Sequence, residues 1–427
     1  MLPTGQHQPG RAPWTPAGDR APAHGDAATS PQVLRRANAR VLLDLLWRRP
    51  AGDAVTANEL MAASFLTRAT VLGVCDDLLG QGWLAEVPHE AAGGARGRPA
   101  RRFRFRPDAG VVLGVDVGFR HASCAVADLH GRVTARREVD FGEDSTRAGA
   151  RAAQLRRLVD DALGAAEVPD QAVLAVCFGV AAPVDSHGAS PSDSGFWRTV
   201  RIDPAEILAA HAGWTCLIEN DANLAALAER DALSPDASYV ALLVGERFGA
   251  GVVDGGRLLH GHAGGSGEMH ALELVSGVGS ADALARLARR WAAEALAAGA
   301  ATALRDAPRD AGEPSAEAVL AAAAAGDPVA VVIADRLADR LARVVAVLAS
   351  LANPEVVVLG GQVAPALGPV LDGLAGRVAA HTPVPPRVVA SAHGGDIVLV
   401  GAVRAALDHV AARAVDLRLP VAPTAAV

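Results

Sequence analysis

The chain has 427 residues, 51% of them hydrophobic, which suffices for two or three compact domains and excludes a wholly disordered protein. No apolar run approaches the ~20 residues of a membrane span, and the first 30 residues show no basic start followed by a hydrophobic stretch, so a cytoplasmic protein with no membrane contact is expected. All 40 basic residues are arginine, which excludes lysine-dependent chemistry, and the net charge of −7 is unevenly spread. Residues 31–110 hold 12 arginines against 8 acids, whereas the residues beyond hold 26 against 37. An acidic body repels nucleic acid, so any DNA binding is confined to the positive N-terminal part.

Residues 1–30, rich in Pro, Gly, Ala and Ser, are expected to be a disordered tail. Val41, Leu42, Leu45 and Leu46 then have helical spacing, broken by Pro50-Ala51-Gly52-Asp53. Thr56 with Glu59 makes a capping box for a second helix, which carries Leu60 and Met61 and ends at Ala63-Ser64-Phe65. Thr67 can cap a third helix with Val71, Val74, Leu78 and Leu79 inward and Arg68, Thr70 and Gly73 outward. Trp83 to Val87 reads as a strand and Arg102 to Phe105 as its alternating partner, with a glycine- and arginine-rich segment between them.

That order over residues 31–108 is the order of a winged helix-turn-helix, in which the third helix enters a major groove and the wing meets neighbouring phosphates. Arg68 and Thr70 are the candidates for base edges and Thr67 for a phosphate. Arg96, Arg98, Arg101 and Arg102 are the candidates for backbone or minor-groove contact. The alternative for the arginine run is a solvated surface hairpin.

Residues 109–427 alternate strands and helices, as an α/β architecture of two lobes around a cleft requires. Val111 to Val117 is a buried strand with Ser123 to Asp128 as hairpin partner, followed by a helix from Ala148 to Leu163. Ala172 to Phe178, Cys216 to Glu219, Tyr239 to Val244 and Glu355 to Leu359 read as strands. The alanine-rich stretches Ala281 to Ala300 and Ala316 to Leu351 read as helices. Cys75, Cys124, Cys177 and Cys216 form no Cys-x-x-Cys pair, so buried thiols are expected rather than a disulfide or a metal centre.

The motifs resemble the ROK family of repressors and sugar kinases, in its transcriptional-regulator branch. Leu66-Thr67-Arg68-Ala69-Thr70-Val71 is similar to the start of that branch's recognition helix, and Gly97-Arg98-Pro99 to its wing. Gly114-Val115-Asp116-Val117-Gly118, Ala182-Pro183-Val184-Asp185, Glu219-Asn220-Asp221-Ala222-Asn223, Gly267-Glu268-Met269-His270 and Leu359-Gly360-Gly361 resemble, in order, the family's kinase motifs. The resemblance implies an actin-like (ribonuclease H-like) two-lobed domain that binds a sugar or sugar derivative and forms a homodimer or higher homo-oligomer. Asn220, Asp221, Glu268 and His270 would hold the ligand, and Asp221 would be the general base if kinase activity remained. Asp221 also reads as the N-cap of the helix Ala222 to Glu229.

The chain departs from the family in three places. The sugar motif Glu-x-Gly-His is one residue shorter at His270. The family's zinc-binding cysteines are missing from Leu272 to Leu284, so no metal is expected there. Of the phosphate loops, one continues as Phe119-Arg120-His121 and the other reads Gly245-Glu246-Arg247-Phe248-Gly249-Ala250-Gly251, placing Glu246 where a hydroxyl would face phosphate. The expectation is a regulator, most simply a repressor of sugar-utilisation genes on an inverted-repeat DNA operator, built on a degenerate kinase that needs no cofactor. The alternative is an active ATP-dependent sugar kinase with a DNA-binding module.

Overall fold

The computed structural model describes residues 31–88, 100–142, 147–185, 188, 202–211, 213–310, 312–417 and 419. The expected N-terminal tail lies outside them, as do Arg96, Arg98 and the Gly97-Arg98-Pro99 motif.

Three helices open the chain: α1 (Pro31–Trp47), α2 (Ala57–Ser64) and α3 (Arg68–Gly80). They pack on a small antiparallel sheet of β1 (Val55–Thr56), β2 (Leu84–Val87) and β3 (Arg102–Phe105), with β3 in the middle. Local chemistry sets the helix starts. Thr56 Oγ1 accepts from the Glu59 backbone N–H at 3.3 Å while Glu59 Oε2 accepts from the Thr56 N–H at 2.7 Å, which is the expected capping box. Thr67 caps α3 in turn, accepting from the Thr70 N–H. Leu42, Leu46, Leu60, Val71, Leu78, Trp83 and Phe103 fill the core between helices and sheet. The result is a winged helix-turn-helix.

Beyond it, two five-stranded sheets repeat one topology. The first runs β6-β5-β4-β7-β8, from β4 (Val111–Val117), β5 (His121–Asp128), β6 (Val133–Asp140), β7 (Val173–Val180) and β8 (Thr215–Asn220). The second runs β11-β10-β9-β14-β15, from β9 (Tyr239–Leu243), β10 (Gly249–Asp254), β11 (Arg257–Leu258), β14 (Val356–Gly360) and β15 (Arg387–Ala390). In each, three strands form an antiparallel meander whose first strand pairs in parallel with the fourth, and the fourth with the fifth. This duplicated sheet is the two-lobed, actin-like fold.

Helix α4 (Ala148–Ala166) covers the first sheet, and α5 (Asp221–Glu229) follows β8 directly. Lobe two adds α6 (Leu284–Ala297), the hairpin β12 (Arg309–Asp310) with β13 (Glu313–Pro314), α7 (Ala316–Ala324) and α8 (Pro328–Ala352). The alanine-rich stretch from Ala316, read as helical, forms two helices. Gly326 takes a φ of 85°, Asp327 accepts from the Val329 and Ala330 N–H groups, and Pro328 occupies the first turn. Among the described residues no single helix is long and apolar enough to cross a membrane, and α7 with α8 meets the test only as a pair bent by 109°.

The last long helix, α9 (Ile397–Arg413), lies between the lobes and packs on α5 and on β4. Contact is at backbone distance: a Cβ on Gly401 would lie 1.9 Å from the Leu224 carbonyl oxygen, and one on Gly114 2.7 Å from the Val403 nitrogen. The winged helix docks on this same assembly. Trp47 donates its indole N–H to the Leu129 carbonyl at 2.8 Å, Phe105 stacks on Trp47 at 4.6 Å, and Arg40 donates to the Ala412 carbonyl at the end of α9 at 2.9 Å.

Candidate functional site

The parallel strands β4, β7 and β8 end on one side, where open α/β sheets bind ligands. Asp116 ends β4, the Ala182–Asp185 segment follows β7, and Glu219 and Asn220 end β8. Lobe two contributes the loop through His260 and the Gly264–Glu268 turn. Gly264 packs so closely on Val184 that a Cβ there would fall 2.3 Å from its carbonyl carbon. Glu268 forms a bridge with Gly249, and a Cβ on Gly267 would lie 1.6 Å from the Ala250 oxygen. Glycine at these turns lets the lobe-two loop lie against β10 and the Val184 segment.

Asn220, not Asp221, caps α5: its Oδ1 accepts from the Asn223 N–H at 3.0 Å, and its Nδ2 donates to the Ala182 carbonyl at 3.0 Å. Asp221 is the first helical residue and accepts from the Ala222 N–H at 2.8 Å through one oxygen. The adjacent caps differ by one position because Asn and Asp serve equally well there. The outcome leaves the second carboxylate oxygen of Asp221 outside the cap.

Burial pushes Asp221 up to about 7, reinforced by the charge of Glu268 and opposed by its backbone hydrogen bond. Asp116 is also pushed up to about 7 by burial and by the charges of Asp221 and Asp396. Glu268 is raised by burial against the pull of His270 and Arg247. These carboxylates therefore feel one another across one site. His270 Nδ1 stands 3.5 Å from Glu268 Oε2 with its ring half exposed, so the shortened motif still brings the pair together.

His260, which the sequence did not single out, donates into the same cluster. Its Nε2 lies 2.7 Å from Glu219 Oε2, and that hydrogen bond raises the imidazole pKa. Glu219 Oε1 meanwhile accepts from the Asn220 backbone and from Asn223 Nδ2 at 2.8 and 2.9 Å. The motif's glutamate thus holds the α5 start to the lobe-two loop.

The two segments that resemble the family's phosphate loops are held by protein groups. Buried Arg151 of α4 donates to the Phe119 and Gly118 carbonyls at 2.8 and 3.1 Å. Glu246 is bound by Arg289 of α6 at 2.7 and 2.8 Å, so Arg289, rather than the adjacent Arg247, compensates its charge. Cys75, Cys124 and Cys177 are buried, with burial pushing the first two to about 12, which leaves thiols and not thiolates. Among the described residues no group of three or more His, Cys, Asp or Glu side chains could hold a metal ion.

On the winged helix, Arg68 is exposed and donates to Asn58 of α2 at 2.9 Å, bracing the two helices. The Thr67 and Thr70 hydroxyls meet each other at 2.9 Å at the start of α3. Arg101 is paired with Asp76 and Glu86, both at 2.8 Å, and Arg102 donates to the Ala54 carbonyl at 2.8 Å. These two expected DNA contacts are thus engaged within the module itself. Arg104, passed over in the sequence, is exposed between buried Phe103 and Phe105.

The ROK family pattern matches residues 112–409, and the chain belongs to the ROK family. Its fold is similar to that of a ROK family transcriptional regulator, a homolog of the E. coli MLC protein, at a TM-score of 0.68 and 22% identity over 90% of this chain and 99% of that one. A ROK family glucokinase from Streptomyces griseus, in complex with glucose and AMPPNP, aligns at 0.56 and 25% identity over 70% and 100%. A ROK hexokinase from Thermus thermophilus aligns at 0.53 and 27% identity over 70% and 99%. By sequence alone, no curated protein matches the chain. The two kinases align with 70% of this chain, whereas the 90% aligned with the regulator is larger than residues 109–427 can supply.

Proposed function

We propose that this protein is a DNA-binding transcriptional regulator, a repressor of sugar uptake or catabolism genes, whose grip on its operator is set by a sugar or sugar derivative held between the lobes. In this reading residues 31–108 read DNA and residues 109–427 bind ligand and dimerise. A homodimer would set two α3 helices in major grooves ~34–36 Å apart on an inverted repeat. Arg68 and Arg104 are exposed for this purpose, Thr67 and Thr70 lie at the helix end that enters the groove, and the wing with Arg96 and Arg98 would meet the phosphates. Arg101 and Arg102 would position the wing.

The observation that carries the reading is the docking of the winged helix on α9. Asp221 opens α5, α5 packs backbone to backbone on α9, and the end of α9 accepts from Arg40 of α1. A ligand hydroxyl on Asp221 and Glu268 would bias the α5–α9 packing, and with it the seat of the DNA module. A carboxylate accepts from vicinal hydroxyls, which fits a carbohydrate. A useful switch needs ~1 to 3 kcal/mol of difference between the two arrangements.

The second reading is an active sugar kinase, favoured by an Asp221 held at about 7, near the pH at which a general base works best. Against it stand the loops that would cradle phosphate, one pinned by Arg151 and the other carrying Glu246 tied to Arg289. Incubating the protein with ATP, magnesium and a panel of hexoses separates the two. Sugar-modulated DNA binding without turnover supports the regulator, and turnover at ordinary enzymatic rates supports the kinase.

A further inference from the structure

The turn that joins the sugar loop to α6 borders a cavity outside the cleft, of about 590 Å³. Its walls are the Gly277–Ser280 turn, Trp291, and four arginines: Arg290 of α6 and Arg336, Arg340 and Arg343 of α8. The last three are spaced by four and three residues and so lie on one face of α8. Two acids share the cavity, but both are engaged. Asp282 is bound by Arg286 and Arg290, each at 3.3 Å, and Asp339 by Arg377.

The remaining guanidinium groups meet no carboxylate among the described residues. Arg340, 7% exposed, donates to the Ser280 and Asp282 carbonyls at 2.6 and 3.1 Å and to that of Val278, all neutral acceptors, and the attraction it feels from the Asp282 carboxylate is shared with Arg286 and Arg290. Arg336 lies over the Trp291 ring at 3.9 Å. Arg343 covers Gly277, where a Cβ would come within 2.9 Å of its Nε. Like charges gathered in a partly desolvated wall repel one another unless an anion joins them. The acidic surroundings in sequence make this concentration of arginine more pointed.

We propose that this cavity is a binding site for a small phosphate-bearing anion, separate from the sugar cleft. Planar guanidinium forks match phosphate oxygens in pairs, and the volume lies within the range of small-molecule sites. Gly277 and Gly279, with φ of 78° and 72°, let the turn's backbone approach such a ligand closely. The site is wired to the cleft: the Ala281 carbonyl accepts from the Phe248 N–H at 2.9 Å and the Ala283 N–H donates to the Glu246 backbone carbonyl at 3.0 Å. An anion that fixes this turn therefore fixes the loop that leads to Gly249 and Glu268. It is a second effector site, and its existence does not depend on DNA binding.

Inorganic pyrophosphate, titrated into the full-length protein by calorimetry at constant ionic strength, tests it. Saturable binding is expected, weakened at least tenfold in Arg343→Gln and in Arg336→Gln and unchanged in the cleft variant Asp221→Asn. Arg336 is exposed, so its replacement leaves the fold intact, and an unaltered melting temperature without pyrophosphate verifies this. Absence of saturable binding overturns the proposal. Binding that survives both arginine replacements, or that disappears in Asp221→Asn, overturns it equally.

Discussion

Arg120, in the turn between β4 and β5, stands 3.3 Å from Asp310 on β12, so this turn of lobe one is tied directly to lobe two. Asp310 lies 3.9 Å from Arg289, which binds Glu246 of the second loop at 2.7 Å. An ion-pair chain thus runs from the turn after β4 through Asp310 and Arg289 to Glu246. Arg120 and Asp310 are both more than half exposed, which keeps the pair within ~1 kcal/mol. Asp310→Ala should shift urea unfolding by less than about that amount in low salt, and by nothing measurable in 1 M salt, where charges are screened beyond ~3 Å. A larger loss that survives high salt would mean that Asp310 supports the hairpin by packing.

The pH dependence of stability follows from Asp221. Its pKa is raised from 3.8 to about 7 on folding, so the folded chain keeps a proton that the unfolded chain releases. Its contribution to stability therefore falls as pH rises from about 4 to about 7 and is level above. Asp221→Asn should unfold at higher urea than the parent at pH 8, with the advantage shrinking towards pH 4. An advantage that grows as pH falls would contradict the burial of this carboxyl. The same variant should lose any response to sugar.

Phe65 occupies the turn between α2 and α3 with a φ of 57°, a region that favours glycine, while its side chain is 93% exposed. The backbone strain is therefore not repaid by packing. Phe65→Gly should stabilise the isolated protein by about 1 kcal/mol in thermal unfolding. A loss of stability would show that the ring packs in solution.

Gly401 carries the close contact between α9 and α5 through which, in the proposed function, the cleft would communicate with α1. A Cβ would lie 1.9 Å from the Leu224 oxygen, a backbone atom that cannot swing away. Gly401→Ala should destabilise by about 3 kcal/mol or more through overpacking, read as a lowered denaturation midpoint. Gly368, which has open space around it, should accept alanine with little effect.

Features governed by neighbours in sequence were legible before the structure. Thr56 with Glu59, Thr67, and the alternation of Phe103 and Phe105 each act within a few residues, and the cleft motifs lie at the strand ends their order implied. Choosing between Asn220 and Asp221 as the cap was not legible, because both side chains suit that position and only the Ala182 carbonyl, 38 residues away, decides which is used. The break between α7 and α8 did carry a signal, Gly326-Asp327-Pro328, hidden by alanine on both sides. Strand β10 begins in glycines that read as a loop. Arg151, His260 and Arg289 have no local signature, since each acts on a partner more than 30 residues distant.

The central claim is that one chain couples a DNA grip to a carbohydrate cleft. Selecting bound fragments from genomic DNA with the full-length protein, then following their fluorescence anisotropy against a panel of sugars and sugar phosphates, tests it most directly. The account predicts salt-sensitive, sequence-specific binding that Arg68→Ala weakens, and a shift in that affinity by at least one sugar that Asp221→Ala abolishes. Failure to retain any fragment in low salt, or a grip that no carbohydrate alters, would contradict it.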